Sequence, residues 1–430
     1  MSITPVKFPA LPRHIFAFTM QAPCPSPGSV FTDRTFPSHT PQRGGFMTSG
    51  ALSSDELLRR ASDMLPILRE RAAETENLRR IPDETVRELH ASKLLRIGVP
   101  KMFGGLDVDY SLMFEVGALL GSACAATSWC FCIWTAHSWL VGHWPKEAQH
   151  EVFGQGPDVL SSSSLNPGKS TLEKTLGGFN LSGRWEFSSG SDTAEWVMVG
   201  AIGSDGLVWV LVPRSDYEIA DTWFVSGLKG TGSKDIIIKD AFVPDYRVLD
   251  FQRSGNGDWT GWEMHQQDRY RLPAPVLLGW DLVTPMLGIA QGAIEEFTAK
   301  LAGTSGPGRT ADSEGVQLRL SQSSAELDSA RALMNEDIVE MFKKAQTGDE
   351  FSTMERARIR RDKAYIAQLC LSSVNRLFEF SGGHGIFESG ILQRFHRDIQ
   401  AAVRRDGFMM EFGGLQYARV ALGLDPNGRI

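Results

Sequence analysis

The stretch Trp185-Glu186-Phe187-Ser188-Ser189-Gly190 is the most informative segment of this chain. It ends a β-rich run with a sharp turn that carries two serine hydroxyls next to aromatic residues. Such a turn can offer backbone N–H groups and hydroxyls to a planar, polar-edged heterocycle while aromatic rings cover its face. A hydroxyl-rich turn is also a common way to end a strand. The segment alone therefore leaves a ligand site and a simple turn both open.

Short β-rich runs lie on both sides of this turn. Residues 179–185, 196–202, 207–212 and 235–242 are rich in β-branched and aromatic residues, and Gly, Asp and Ser separate them. Their alternation of polar and apolar residues is partial, which is typical of a small barrel or sandwich with buried faces. The four serines at 161–164 leave the same two interpretations open, and as polar residues in a strand beside an apolar helical layer they are compatible with a lined cavity.

Helical patterns flank the β-rich region. Ser53 and Glu56 are spaced as a capping box, and Pro82 suits the first position of a second helix. Apolar residues recur every three to four positions at 316–341, and again at 366–377 behind a second capping box. We therefore predict an α+β fold with three domains: an N-terminal helical domain at 51–156, a central small β-barrel or sandwich at 157–265, and a C-terminal four-helix bundle at 266–430.

Two segments depart from this pattern. Residues 1–50 hold eight of the 21 prolines, so we interpret them as a disordered extension, a leader, or sequence upstream of a natural start at Met47. Residues 116–145 have no charge and are long enough to span a bilayer. Their content of Gly, Ala, Ser, Thr and Cys, together with His137 and His143, favours buried core helices.

Composition narrows the classes of partner. A formal net charge of -7 and a pI near 5.8 argue against nucleic acid or an anionic membrane as the main partner. The five cysteines form no CxxC pair, which fits a reduced, cytoplasmic location better than a disulfide framework.

Several familiar motifs are absent from the sequence. No GxGxxG opens a βαβ unit, so the sequence shows no Rossmann site for NAD(P)H. The loop Gly227-Leu228-Lys229-Gly230-Thr231-Gly232-Ser233-Lys234 differs from a P-loop, because its Ser and Lys are reversed and a strand follows. Neither HExxH nor a Cys/His ligand spacing is present, so we predict no metal site.

His137 is the candidate titratable group in the uncharged stretch. It is either a buried histidine satisfied by a backbone carbonyl, or a group that binds or deprotonates a substrate hydroxyl. The residues around it do not separate these two interpretations.

Taken together, the motifs resemble the acyl-CoA dehydrogenase superfamily, and within it the oxygenase components of group D flavin-dependent monooxygenases. That group includes 4-hydroxyphenylacetate hydroxylases, steroid-catabolic phenol hydroxylases and dibenzothiophene monooxygenase. The likeness runs from about Ser53 to the C-terminus. The matching segments, in order, are 99–105, 185–190 with Asp192 and Trp196, 230–233 leading to Val243-Pro244, 382–385 and 393–398.

The resemblance implies roles for individual residues. Ser188 and Ser189 would lie at the flavin N5 edge, with Trp185 and Gly190 in the same cofactor-binding turn. Ser163 would lie in the neighbouring strand and His137 beside the substrate. Gly382 and Gly383 would form a flavin-contacting turn near a subunit interface, although glycines there also suit a helix stop.

The chain departs from its relatives at Arg405-Asp406-Gly407. Many of the hydroxylases have a histidine where this chain has Arg405, and many acyl-CoA dehydrogenases have their catalytic glutamate where it has Asp406. An aspartate is one methylene shorter than that glutamate, and an arginine cannot act as a base. Both residues are therefore catalytic candidates, and a helix-end ion pair without a catalytic role is an equal alternative.

The resemblance implies a two-component enzyme. A separate NAD(P)H:flavin reductase would deliver reduced FMN or FAD, and O2 would form a C4a-hydroperoxyflavin that hydroxylates a small phenolic or indolic substrate. A homotetramer is expected on the same grounds. The alternatives are an acyl-CoA dehydrogenase with FAD and Asp406 as base, an N-oxygenase of an amino sugar, and a non-catalytic binding or structural member.

Overall fold

The computed structural model describes residues 52–251, 260–302 and 310–428. The extension predicted at 1–50 lies outside the described residues, so its interpretation stays a prediction.

Five helices form the first layer of the described chain. Ser53 Oγ accepts the Glu56 amide at 3.2 Å, so the first helix begins where the sequence predicts. Pro82 is the N-cap of the second helix and not its first residue, a difference of one position. The helices are α1 Ser54–Leu78, α2 Asp83–Ser92, α3 Leu112–Ala123, α4 Ala125–Val141 and α5 Lys146–Phe153.

Eight strands follow and form two four-stranded sheets. The sheet orders are β1-β4-β5-β8 and β2-β3-β7-β6, and the pairing is antiparallel except between β1 and β4. A small apolar core that includes Leu181, Val199 and Ile236 lies between the sheets. The strands are β1 Ser161–Ser164, β2 Lys169–Thr175, β3 Gly178–Ser188, β4 Trp196–Gly203, β5 Gly206–Pro213, β6 Glu218–Ala220, β7 Lys234–Pro244 and β8 Val248–Asp250.

Helices return after the sheets, as predicted. The capping box at Ser352 and Glu355 is complete, with each side chain bonded to the other residue's backbone N–H. The long helices α8 to α11 pack on one another as the predicted bundle. The helices are α6 Thr260–His265, α7 Ala274–Leu277, α8 Trp280–Ala302, α9 Glu314–Thr347, α10 Thr353–Glu379, α11 Ile391–Ala402 and α12 Gly413–Ala421. The α+β class and the order of helical, β and helical parts are confirmed.

The uncharged stretch forms the centre of the protein. Every residue of α4 is buried, as the core interpretation predicts. One stretch of the described chain, Ala274–Ala302, has the length and hydropathy of a membrane span, and 89% of its most apolar window is buried inside the protein.

Helices α3 and α8 meet along a seam of glycines. A Cβ on Gly288 would lie 2.6 Å from the Cα of Gly121, and a Cβ on Gly117 would lie 2.8 Å from Thr284 Cγ2. Contacts this short leave no room for a side chain. The two helices therefore touch backbone to backbone at this seam.

Candidate functional site

Helix α4 presses His137 against strand β1. The imidazole is buried, with Nδ1 2.6 Å from the carbonyl oxygen of Ser161 and Nε2 2.9 Å from Ser163 Oγ. Ser164 Oγ donates to the Glu186 carbonyl at 2.7 Å, so β1 also lies against the end of β3. The structure thus brings His137 and Ser163 together beside the segment 185–190.

The partners of His137 fix its protons. A carbonyl oxygen only accepts, so Nδ1 carries the hydrogen and donates to Ser161. Nε2 of the neutral ring must then accept the hydroxyl hydrogen of Ser163. Burial lowers the pKa of His137 to about 4, the bond to Ser161 opposes this, and the charge of Arg405 lowers the pKa further. The pair is therefore neutral at physiological pH. Because Ser163 donates its hydrogen to His137, its oxygen can accept a hydrogen bond from a ligand hydroxyl.

Arg405 lies within electrostatic reach of His137 and of a second buried group. That group is Asp281, whose carboxylate accepts the Gly279 amide at 2.6 Å. Burial raises the pKa of Asp281, and the charge of Arg405 opposes the rise. Arg405 is itself exposed, although its charge acts on both buried groups. Asp406 opens the short turn Asp406–Phe408, and its side chain is outside the described atoms.

A register shift in β3 separates the aromatic residues of the segment 185–190. The shift falls between Trp185 and Ser188, and as a result the side chains of Trp185 and Ser188 are both buried although they are three residues apart. The Trp185 indole lies in the sandwich core and donates to the Gly200 carbonyl at 2.7 Å. Phe187 takes a left-handed conformation, with φ 66°, and its side chain is 66% exposed. The structure therefore places Trp185 in the sandwich core and leaves Phe187 as the exposed aromatic of the segment, while the cofactor-binding role of Trp185 stays a prediction.

A chain of hydroxyls runs from Ser189 to the glycine-rich loop. Ser189 Oγ lies 2.7 Å from Ser233 Oγ, and Ser233 Oγ lies 2.7 Å from Thr231 Oγ1. Thr231 donates to the Leu228 carbonyl at 2.9 Å, and Trp129 Nε1 donates to Ser189 at 3.2 Å. The Leu228 carbonyl oxygen can only accept, so Thr231 gives its hydrogen to it. Ser233 must then donate to Thr231, and Ser189 to Ser233. The hydrogen of Ser189 is used, and its oxygen remains an acceptor.

The turn after β3 packs directly against α4. The Gly190 amide donates to the Thr231 carbonyl at 2.8 Å, and a Cβ on Gly190 would lie 2.5 Å from Trp134 Nε1. Ser188 Oγ and Trp134 Nε1 are buried, and neither has a hydrogen-bond partner among the described residues. Buried polar atoms without partners are uncommon in folded proteins. This turn therefore has hydrogen-bonding capacity that the chain itself does not use.

These features fit a flavin ring. Phe187 exposes an aromatic face, with Trp223 perpendicular to it at a centroid distance of 6.0 Å. Ser163 and Ser189 offer hydroxyl oxygens on neighbouring strand ends, and Arg405 brings a positive charge. An apolar face with a few convergent polar groups is typical of a cofactor site.

The C-terminal helices are fastened to the same loop. Asp398 accepts the Leu228 amide at 2.6 Å, and a Cβ on Gly227 would lie 2.0 Å from the Arg397 carbonyl oxygen. Burial raises the pKa of Asp398 to about 6, while the bond to Leu228 opposes the rise. Helix α11 thus holds the loop that ends the hydroxyl chain.

Gly382 and Gly383 lie elsewhere on the chain. Both are exposed, and a Cβ on either would meet no atom within 4 Å. Gly382 has φ 64° and precedes the short turn Gly383–Ile386. Within one chain these glycines form a surface turn before α11, and their contact with a flavin stays a prediction.

Sequence reasoning missed three contributors to this site: Phe187, Trp129 and Ser233. Phe187 is in the quoted segment, and its exposure depends on the register shift that sequence alone does not show. The motif Gly230-Thr231-Gly232-Ser233 is visible in the sequence, but its hydroxyls join Ser189 only through the fold. Among the described residues, no group of three or more His, Cys, Asp or Glu side chains could hold a metal ion.

Comparisons with known proteins agree with this geometry. The family described as acyl-CoA dehydrogenase, C-terminal domain, matches residues 282–407. Helices α9 to α11 fall within this range, and α8 begins two residues before it, so the family match covers nearly all of the bundle.

Several oxygenase subunits match most of the chain. The flavin-dependent monooxygenase oxygenase subunit HsaA of Rhodococcus jostii is 34% identical over 80% of this chain and 92% of its own. The oxygenase component of a FADH2-dependent resorcinol hydroxylase from Rhizobium sp. is 31% identical over 87% of this chain and 95% of its own. The crystal structure of 3-HSA hydroxylase from Rhodococcus sp. RHA1 superimposes with a TM-score of 0.82 at 32% identity, covering 86% of this chain and 98% of that one. The chain therefore belongs to the oxygenase components of flavin-dependent monooxygenases, on the acyl-CoA dehydrogenase fold.

Proposed function

We propose that this monooxygenase hydroxylates a small aromatic substrate, phenolic or indolic, with O2 and a reduced flavin. The observation that carries the proposal is the neutral pair of buried His137 and half-buried Ser163, on the strand that bonds to Glu186, the neighbour of the exposed Phe187. Resorcinol in the name of the Rhizobium relative supports a phenolic substrate. The balance is one O2 and one reduced flavin per substrate, giving one hydroxyl group, one water and oxidised flavin.

The strand-end hydroxyls would hold the flavin in its reduced form. Reduced flavin carries a hydrogen on N5 and oxidised flavin does not. Ser189 has committed its own hydrogen to Ser233, so its oxygen suits a donor such as N5–H. Ser188 Oγ, buried and without a partner among the described residues, is a second acceptor at this edge. Bound there, the flavin supplies the two electrons that activate O2.

His137 and Ser163 would orient the substrate. A phenolic hydroxyl donates to the open lone pair of Ser163 Oγ, while Ser163 donates to Nε2 of His137. The lowered pKa keeps Nε2 unprotonated but weakly basic. Negative charge that develops on the ring oxygen beside it would raise that pKa and let Nε2 take a proton through Ser163. The buried helix α4 keeps water from this proton path.

Arg405 would assist at the open side of the site. Its charge already acts on His137 and Asp281, and it favours a negative charge on either flavin or substrate. Asp406, which opens the turn next to Arg405, stays a candidate from the sequence, and the proton transfer is assigned here to His137 and Ser163. We also propose that the chain divides into three domains, with boundaries at 156/157 and 265/266.

The partners follow from the missing nucleotide motif and from the name of the family. We propose a separate NAD(P)H:flavin reductase that supplies reduced FMN or FAD, with FADH2 favoured by the Rhizobium relative. A homotetramer fits the exposed apolar side chains of the C-terminal part, among them Ile386, Phe387 and Leu415. The described cysteines are all free and buried, which supports a location in the reducing cytoplasm.

The test is an anaerobic titration followed by product analysis. Reduced FAD and FMN are titrated and compared with the oxidised forms, and the better complex is mixed with 18O2 and a panel of phenols and indoles. We expect tighter binding of a reduced form and one 18O atom in a hydroxylated product. Equal binding of both redox states, or flavin reduction by NADH without a reductase, would overturn the proposal.

Variants locate the chemistry within this test. His137→Asn should lower the product yield about 100-fold or more while reduced flavin still binds, since general acid–base groups contribute at that scale. Arg405→Ala should also lower hydroxylation, whereas Arg404→Ala, the exposed neighbour, should not. If product is lost in the Arg404 variant and not in the Arg405 variant, the assignment of Arg405 to the site is wrong.

A further inference from the structure

We propose that Asp398 is a positioning residue for the reduced flavin, acting through Leu228 and the hydroxyl chain that begins at Ser189. This role rests on the proposed function, because it concerns how the same strand-end hydroxyls distinguish reduced from oxidised flavin. Asp398 ends the segment 393–398, which no step of the proposed chemistry uses.

Helix α11 and the glycine-rich loop meet at three successive residues of the loop. Asp398 Oδ1 accepts the Leu228 amide hydrogen at 2.6 Å, and Arg397 Nη1 donates to the Ser226 carbonyl at 2.6 Å. Between these two bonds, a Cβ on Gly227 would lie 2.0 Å from the Arg397 carbonyl oxygen, so the two main chains touch. These contacts, here named the α11 clamp, hold the loop to the helix.

Leu228 needs the α11 clamp because its backbone is strained. Its φ is 52°, in the left-handed region, which costs free energy for a residue with a Cβ. Conformations of this kind persist only where the surrounding structure fixes them. Burial raises the pKa of Asp398 to about 6, so the carboxylate is charged at neutral pH and its bond to the amide is charge-assisted. Without this carboxylate, Leu228 would be free to take a more stable, negative φ.

The Leu228 carbonyl depends on that backbone conformation. It accepts hydrogen bonds from Thr231 Oγ1 at 2.9 Å, from the Thr231 amide at 3.1 Å and from Trp223 Nε1 at 3.1 Å. The first bond fixes the direction of the hydroxyl chain, and the third holds the indole that lies edge-on to Phe187. A change of φ at Leu228 would turn this carbonyl away from all three donors.

The direction of the chain decides which form of the flavin Ser189 can bind. While Thr231 donates to Leu228, Ser189 must donate to Ser233, and its oxygen can only accept. Reduced flavin offers a hydrogen on N5, whereas oxidised flavin offers a lone pair there. Ser189 therefore favours the reduced form. Without the Leu228 acceptor the hydrogens of the chain can reverse, and Ser189 can then donate to the oxidised form as well.

The experiment measures the dissociation constants of oxidised and reduced flavin, titrated anaerobically against the full chain at neutral pH with the better bound of FAD and FMN. We expect Asp398→Ala to lower the preference for the reduced form about tenfold, the scale of one hydrogen bond. Part of this change should be tighter binding of the oxidised form, which a general loss of structure would not give. Asp398→Asn keeps an oxygen that can accept the Leu228 hydrogen, so it should retain most of the preference.

Two further variants test whether Asp398 acts through the hydroxyl chain. Thr231→Val breaks the chain without touching the α11 clamp, so it should lower the preference as Asp398→Ala does, and the two losses should not add in the double variant. Asp109 also accepts a backbone amide, that of Ser111, but on the exposed turn before α3. Asp109→Ala is the matched control and should leave the preference unchanged.

Hydrogen–deuterium exchange of the flavin-free protein tests the α11 clamp by itself. The amides of residues 228–231 should exchange about tenfold faster or more in Asp398→Ala than in the wild type or in Asp109→Ala. Unchanged exchange, a preference kept in Asp398→Ala, or losses that add in the double variant would overturn this role of Asp398 alone. A wild type that binds both redox states equally would overturn the proposed function, and this role with it, whatever the exchange rates.

Discussion

At the scale of single residues, the sequence identifies the candidate site residues, and the fold decides which of their atoms donate and which accept hydrogen bonds. His137 is a candidate because it lies in an uncharged stretch, and Ser163 is a candidate through the family resemblance. Their roles as donor and acceptor depend on the Ser161 carbonyl, which faces Nδ1 only once β1 lies on α4. The direction of the hydroxyl chain from Ser189 likewise depends on a backbone carbonyl. Such partners are distant in sequence, so spacing cannot reveal them.

The lowered pKa of His137 predicts a pH-dependent stability. The folded-state pKa of about 4 lies below the ordinary value of 6.5, so the unfolded chain binds a proton first as pH falls. This contribution to stability is complete above pH 6.5 and is lost toward pH 4. Between pH 7 and pH 5 the wild type should lose about 2 kcal/mol more than His137→Asn.

Urea unfolding at the two pH values measures that difference. All other titrating groups are shared by the two proteins, so their effects cancel when the variant is subtracted. An equal loss in both proteins would mean that His137 is solvated or already charged in the folded state.

At the scale of elements, the sequence located the long and the strongly apolar ones. The four strands predicted at 179–185, 196–202, 207–212 and 235–242 are β3, β4, β5 and β7, each extended by one to four residues. Strand β2, Lys169–Thr175, escaped prediction because it is a mostly exposed edge strand with charged residues. Lysine and glutamate on an edge protect it from pairing with another chain and weaken its β signal.

The same limit applies to the register shift in β3. Simple alternation puts Trp185 and Phe187 on one face, whereas the shift sends one into the core and the other to the surface. A β-bulge depends on the partner strand, and such irregularities are common next to active sites. The different environments of Trp185 and Phe187 therefore depend on the geometry of β3 and not on its composition.

The turn after β3 predicts a contrast between two glycines with positive φ. Gly190→Ala adds a methyl 2.5 Å from Trp134 Nε1 at φ 69°, whereas Gly177→Ala, at φ 77°, meets no atom within 4 Å. We expect Gly190→Ala to destabilise the fold by about 3 kcal/mol, from backbone strain and the clash, and Gly177→Ala by about 1 kcal/mol, from strain alone.

Chemical denaturation of the two variants measures the contrast. The buried Trp134 cannot move into solvent, so Gly190→Ala should also impair reduced-flavin binding. Similar destabilisation of both variants would indicate that Gly190 does not pack tightly against Trp134 of α4.

At the scale of the whole molecule, the order of helices, sheets and helices was predictable from periodicity. The flavin contact predicted for Gly382 and Gly383 stays a prediction, because both glycines are exposed in the single chain. A large set of apolar side chains is exposed in the same C-terminal part: Ile386, Phe387, Phe412, Leu415 and Leu422. If they are contiguous, they form a patch of the kind that another protein surface usually covers, here called the C-terminal apolar patch.

Subunit association can be tested on this patch. The wild type should have about four times the chain mass of 47.4 kDa in light scattering after size exclusion. Leu415→Glu should shift it toward smaller species, because a charge would be buried in the interface. Leu176→Glu, at a position 98% exposed in the β-domain, is the matched control and should leave the mass unchanged. A monomeric wild type would contradict the expected tetramer.

The glycine seam between α3 and α8 has a bearing on how such enzymes diversify. Where Gly121 and Gly288 bring two main chains into contact, there is no side chain to shorten and no space to fill. Mutations that enlarge or reshape the interior must therefore arise away from this line of contact. Divergence toward new substrates should then concentrate at positions such as Phe187 and Arg405, at the rim of the site, while the joint between the two helices persists unchanged.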